Sequence, residues 1–156
     1  MGLLRNIYSQ DLVSIYHKTP VDWIESLNIA TKKMIDKGII TGAYVDEIIQ
    51  NVKEHGPYIV LVPGVAMPHA SAESKGVLGT AIGFAKFPDK VSFDTQDADK
   101  DAQLFFTLAA KNYDQHLQNI SNLSDLLMTD GVIDALEHVQ SLKDYEIVMN
   151  KFDPIN

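Results

Sequence analysis

The chain contains no cysteine, and that absence removes structural disulfides, thiol catalysis and every cysteine-ligated zinc or iron–sulfur centre. Basic residues are scarce: 13 Lys and Arg stand against 21 Asp and Glu, for a net charge of −8. A nucleic-acid partner leaves a basic footprint and an anionic membrane surface selects for one, so neither is expected. No apolar run approaches the ~20 residues of a membrane span. Met1-Gly2-Leu3-Leu4-Arg5-Asn6 has no basic region leading into a long apolar core, so no signal peptide is expected, and Asn6 breaks the spacing of a myristoylation signal. Several chemical signatures are missing too. There is no HExxH or familiar zinc spacing, no GxxxxGK[ST], no GxGxxG and no GxSxG. These absences leave no evident metal site, nucleotide cradle or serine nucleophile, and neither metal nor cofactor is expected.

What remains is an ordinary globular composition, 46% hydrophobic and 22% charged, in a chain long enough to bury its own core. One cytoplasmic domain over residues 1–156 is the expectation. Val13 to His17 alternates weakly and reads as a first strand. Thr19-Pro20 reads as N-cap and first helical position, with Trp23, Leu27, Ala30 and Met34 on one face and Gly38 as the stop. A second helix begins at Thr41, with Tyr44, Ile48 and Val52 aligned, and ends before Gly56-Pro57. Tyr58 to Val62 has the composition of a buried strand, as do Val77 to Phe87 and Ala102 to Ala109. Pro88-Asp89-Lys90 reads as a turn into a short Val91–Phe93 strand, and Asp94 to Asp101 as a loop. Helices follow over about 114–128 and 130–138, and Ser141 with Asp144 forms a capping pair for a last one. The order predicts an α/β fold: a central mixed β-sheet flanked by helices on both faces.

The segment Pro63-Gly64-Val65-Ala66-Met67-Pro68-His69-Ala70 is too rich in proline and small residues to continue as a regular element. Pro68 fixes its own φ near about −65° and holds Met67 extended, so the backbone entering His69 has little freedom. A rigidly presented imidazole between small neighbours suits a nucleophile that a bulky donor must reach. Of the other histidines, His17, at a strand end before a helix cap, reads as a surface or satisfied core residue, and His138 sits at a helix end where a cation suits the dipole. His116 falls in the first turn of a helix, in line with Ile120, Leu123 and Leu127. It reads either as a buried histidine bonded to a carbonyl or as a second imidazole at an anion-binding helix N-terminus. Ser71 and Ser74 are candidate hydroxyl donors near His69, with Lys53 and His55 just upstream.

Gly64-Val65-Ala66-Met67-Pro68-His69 resembles the active-site segment of the mannitol/fructose-type enzyme IIA components of the bacterial phosphotransferase system. The resemblance covers nearly the whole chain. His116, 47 residues downstream, matches the family's second active-site histidine, and Lys53, 16 residues before His69, falls where better-known members place an arginine. His55-Gly56-Pro57-Tyr58 leading into the Pro-His segment is most similar to the ascorbate-type members. Two positions depart from the pattern. Ala70 replaces a frequent glycine, and Ser71-Ala72-Glu73-Ser74 lacks the arginine of the ascorbate type.

The resemblance implies that His69 takes a phosphoryl group from phosphorylated HPr and passes it to a IIB component, usually onto cysteine, in service of a membrane IIC permease. His116 would stabilise phosphoryl oxygens, with Lys53, Ser71 and Ser74 in support. Ascorbate or a related sugar acid or polyol is the implied cargo. A domain of the same kind can instead act as a regulator that senses phosphorylation and binds other proteins. A hydrolase using His69 and His116 as base and acid is a third reading, but no carboxylate partner is evident. Oligomeric state is not legible in the sequence.

Overall fold

Residues 81–87 and 102–110 are buried without a break, polar positions included. Strands covered on only one face alternate; these do not, so both faces of the sheet they form must be covered. The computed structural model describes residues 2–155; Met1 and Asn156, the ends of the expected 1–156 unit, lie outside. The elements run α1 (Leu3–Ser9), β1 (Val13–Ile15), α2 (Trp23–Ala30), α3 (Lys32–Asp36), α4 (Gly42–His55), β2 (Gly64–Ala66), β3 (Ala81–Ser92), β4 (Asp101–Ala109), α5 (Tyr113–Leu127), α6 (Val132–Glu137) and α7 (Leu142–Phe152). The sheet order is β1-β3-β4-β2. β1 is parallel to β3, β3 antiparallel to β4, and β2 parallel to β4, so the sheet is mixed as expected.

The two faces are read from side chains on β3. On one, Phe84 packs against Phe106 and against Tyr145 of α7, with ring centroids 4.9 and 5.6 Å apart. On the other, Met34 of α3 fills the place a side chain at Gly83 would take: a Cβ there would lie 2.6 Å from the Met34 sulfur. Phe87, two pleats on from Gly83, stacks on Tyr16 at 5.3 Å. A single cluster of buried residues runs from Leu4 to Met149 through both layers. Arg5 ties the chain ends together through the Asp153 carbonyl and the Asn150 side chain.

Several elements differ from the sequence reading, each for a physical reason. The α2 cap is Asp22, whose carboxylate accepts from Glu25 N–H at 2.9 Å; Thr19 is engaged instead by the Asp89 N–H at 3.0 Å. The helix expected to reach Gly38 breaks at buried Thr31, whose hydroxyl donates to the Leu27 carbonyl at 2.7 Å and competes with the helical ladder. Pro88-Asp89-Lys90 is not a turn between two strands. β3 continues through it as an irregularity in its pairing with β4, between Lys86 and Val91, and the antiparallel connection is the loop 93–100. α1 lacks a clear apolar stripe in the sequence, since it buries only Leu4 and Ile7.

The correction that matters most concerns the segment before His69. Tyr58 to Val62 is not a strand, although Ile59 and Val60 are buried. The strand is Gly64–Ala66, inside the segment judged too irregular for one. Gly64 takes φ +89° at the point where the register with β4 shifts, a conformation residues with side chains rarely adopt. Three pleated residues then lead straight into Met67-Pro68-His69.

Candidate functional site

β2 and β4 are adjacent and parallel, so their carboxyl ends lie side by side, the usual place for a site in a sheet of this class. His69 lies three residues beyond the end of β2. His116 lies in the first turn of α5, which follows β4 after a short link capped by Asn112, whose side chain accepts from Gln115 N–H. The topology thus brings together two histidines 47 residues apart, with ring centroids 5.7 Å from each other. Both are partly buried.

The tautomer of His69 follows from its partner. Nδ1 lies 2.6 Å from the Met67 carbonyl oxygen, which can only accept, so Nδ1 carries the proton and Nε2 presents a lone pair. Burial lowers the His69 pKa below the ordinary histidine value; the Met67 carbonyl pulls the other way, and His116 adds to the lowering. Burial lowers His116 as well. Both rings are therefore neutral near pH 7, and Nε2 of His69 carries a lone pair and no proton.

The backbone at His69 is held as firmly as the ring. Tyr58 donates its hydroxyl to the His69 carbonyl and sets its ring edge-on to the imidazole, centroids 5.2 Å apart. Tyr44, buried on α4, accepts from Ala70 N–H at 3.1 Å and donates to the Leu108 carbonyl at 2.8 Å. Leu108 N–H in turn donates to the Pro68 carbonyl at 2.9 Å, so the loop is laced to the end of β4. Burial pushes the Tyr44 phenol up to about 12 and raises Tyr58, whose shift is partly offset by the Asn51 side chain. Asn51, His55, Tyr58, His69 and Ala70 line an open cavity of about 330 Å³ beside the imidazole.

The remaining sequence candidates fall as follows. Ser71 is exposed, and its oxygen accepts from Glu73 N–H at 3.1 Å, which leaves its proton free to donate. Ser74 commits its proton to Glu47 at 2.6 Å. Lys53 is exposed near the end of α4; it lies roughly 200° around the helix from Asn51 and does not line the cavity. His55, one turn on from Asn51, does. Among the described residues no His, Asp and Glu cluster could hold a metal ion, and no helix is long and apolar enough to cross a membrane. Sequence reasoning missed Tyr44, Tyr58 and Asn51. Tyr44 was legible only as a core position, and Tyr58 was absorbed into the apolar run that follows it.

Comparison with known proteins places the chain in a family and a fold. Residues 6–151 match the family model described as "Phosphoenolpyruvate-dependent sugar phosphotransferase system, EIIA 2". The mannitol-specific cryptic phosphotransferase enzyme IIA component of Escherichia coli (strain K12) is 29% identical over 148 residues, 95% of this chain and 98% of that one. A solution structure of the E. coli protein of that name has a TM-score of 0.80 at 28% identity and covers 97% of this chain and 99% of its own. The ascorbate-specific EIIA component of Shigella boydii is 30% identical, but over only 94 residues, 60% of each chain. An E. coli complex of enzyme IIA and phosphorylated enzyme IIB of the mannitol system shares the fold, with a TM-score of 0.75 at 24% identity over 90% of this chain and 95% of that one. The ascorbate-like stretch before His69 therefore sits in a chain whose full-length likeness is to a mannitol enzyme IIA. With the family model spanning all but the ends of the sequence, the chain belongs to the type 2 EIIA family of the sugar phosphotransferase system and is a phosphotransferase component of it.

Proposed function

We propose that Nε2 of His69 accepts the phosphoryl group, from a phosphohistidine of HPr, and hands it to a IIB component. The observation that carries this is the Met67 carbonyl on Nδ1, which leaves Nε2 unprotonated and aimed away from the backbone. In the first step a bond forms from Nε2 to phosphorus while the donor's nitrogen–phosphorus bond breaks, and the electron pair returns to the donor imidazole. In the second, a IIB thiolate attacks the same phosphorus and the Nε2 pair returns to His69. Such transfers pass through a loose transition state, so alignment and charge stabilisation matter more than covalent assistance.

His116 supports the step as a donor to phosphoryl oxygens, aided by the N-terminus of α5. Ser71 has a hydroxyl proton to give, and His55 stands at the cavity rim. Lys53, exposed and outside the cavity lining, serves only when a partner is docked. The chain works in the cytoplasm, beside a IIC permease that moves the sugar. For the cargo we place an acyclic polyol of the mannitol kind ahead of ascorbate, because the likeness to the mannitol enzyme IIA is full-length.

Reconstitution tests the relay. The chain is incubated with phosphorylated HPr and then with purified IIB proteins of the mannitol and ascorbate kinds, and label on the IIB cysteine is followed. Transfer to the mannitol-type IIB supports the proposal; transfer to the ascorbate-type alone overturns the cargo, and transfer to neither leaves a phosphorylation sensor.

A further inference from the structure

The carbonyl of His69 and the N–H of Ala70 are the two polar ends of one peptide unit. Each end is held by a different tyrosine hydroxyl: Tyr58 donates to the carbonyl, and Tyr44 accepts from the N–H. The two tyrosines come from opposite ends of one stretch of chain, Tyr44 in the first turn of α4 and Tyr58 just past its C-terminus. Tyr44 is anchored on its far side by the Leu108 carbonyl, and Tyr58 is faced by the Asn51 side chain. A peptide plane gripped at both ends resists rotation; with the preceding plane also held, by Leu108 N–H on the Pro68 carbonyl, the direction in which the His69 side chain leaves the backbone is fixed.

We infer that Tyr44 and Tyr58 form a clamp on the His69–Ala70 peptide, and that Tyr58 is a positioning residue that keeps the imidazole of His69 seated on the Met67 carbonyl. Two further contacts fit this role. The Nδ1 to Met67 distance of 2.6 Å tolerates little movement of the ring, and the Tyr58 ring closes one side of it edge-on. Placement to within about 0.5 Å is what a preorganised site demands, and a displacement of about 1 Å can cost up to 10²-fold in rate. Tyr58 touches neither donor nor phosphoryl group in this account; it acts through His69. Its consequence for transfer rests on His69 being the phosphoryl acceptor, whereas its effect on the imidazole does not.

The test uses the full chain labelled with ¹⁵N, with the ring nitrogens of His69 observed by NMR at pH 7 in the wild type, Tyr58→Phe and Tyr145→Phe. Tyr145→Phe also loses a buried hydroxyl bond, to the Leu4 carbonyl, but remote from the site, and serves as the control for general loosening. The wild type and Tyr145→Phe are expected to show the Nδ1–H form alone. Tyr58→Phe is expected to show a mixture of tautomers and about tenfold slower acceptance of phosphate from phosphorylated HPr, at unchanged donor KM. Tyr58→Phe with the wild-type tautomer and rate overturns the clamp, and so does the same mixture in Tyr145→Phe. Should Tyr58→Phe fail to fold, Asn51→Leu is read the same way, a mixture supporting the clamp and an unchanged ring overturning it. Failure of the wild type itself to take phosphate sinks the phosphoryl relay, while the ring nitrogens still decide the clamp.

Discussion

Tyr44→Phe isolates the hydroxyl that joins α4, the His69 loop and β4. The phenyl ring still fills its place in the core, so the loss is polar. Ala70 N–H loses its acceptor and the Leu108 carbonyl loses a donor, in residues only 6% and 0% exposed. A buried backbone group left without its partner costs about 1–3 kcal/mol, so the variant is expected to lose about 2–4 kcal/mol. For a chain of this size each kcal/mol moves Tm by about 2–4 °C, which puts the midpoint about 4–16 °C lower. Tyr145→Phe is the built-in comparison: its hydroxyl is equally buried but makes one bond, to the Leu4 carbonyl at 2.7 Å, and about half the cost is expected. Urea unfolding followed by circular dichroism measures both. If Tyr44→Phe costs no more than Tyr145→Phe, the two-sided role of the Tyr44 hydroxyl is refuted.

Three further outcomes are expected. His116→Ala should slow phosphoryl acceptance about 10²–10³-fold in single-turnover assays, the loss typical of one oxyanion donor, and an unchanged rate returns His116 to a packing role. Ser74→Ala should leave that rate unchanged while lowering the urea midpoint, because its proton serves Glu47; a slowed transfer at unchanged stability would reverse that assignment. His69 and His116 both have folded pKa values below the ordinary 6.5, so the unfolded chain binds more protons in the acid range. Their contribution to stability is complete above pH 6.5 and is lost as pH falls through the folded values. The urea midpoint should therefore drop across that window in the wild type and drop less in His69→Asn; identical profiles in the two would contradict the depressed pKa of His69.

The fold class was legible because its central strands are long and apolar and its helices carry clear faces. Gly64–Ala66 was not, since a three-residue strand headed by a left-handed glycine reads as a loop until β4 lies beside it to accept the pairing. The same holds for β3, where the pairing with β4 carries the chain through Pro88 as an irregularity although local chemistry suggests a turn. At the site, the rigid approach to His69 was readable from Met67-Pro68, and the helix-start position of His116 from its spacing to Ile120, Leu123 and Leu127, a spacing that left its role open. The tyrosines were not, because a Tyr on an apolar face gives no sign of where its hydroxyl will end. Hydroxyl partners 64 and 11 residues away in sequence are a property of topology, which no local pattern encodes.

In the proposed relay Nε2 of His69 is the atom that takes the phosphoryl group. ³¹P–¹⁵N-resolved NMR of the chain after incubation with phosphorylated HPr tests it directly, with His69→Ala in parallel. A single acid-labile phosphoryl group on Nε2 of His69, absent from His69→Ala, is the result this account predicts. Phosphate on Nδ1 or on His116, or persistent acid-labile phosphate in His69→Ala, would contradict it.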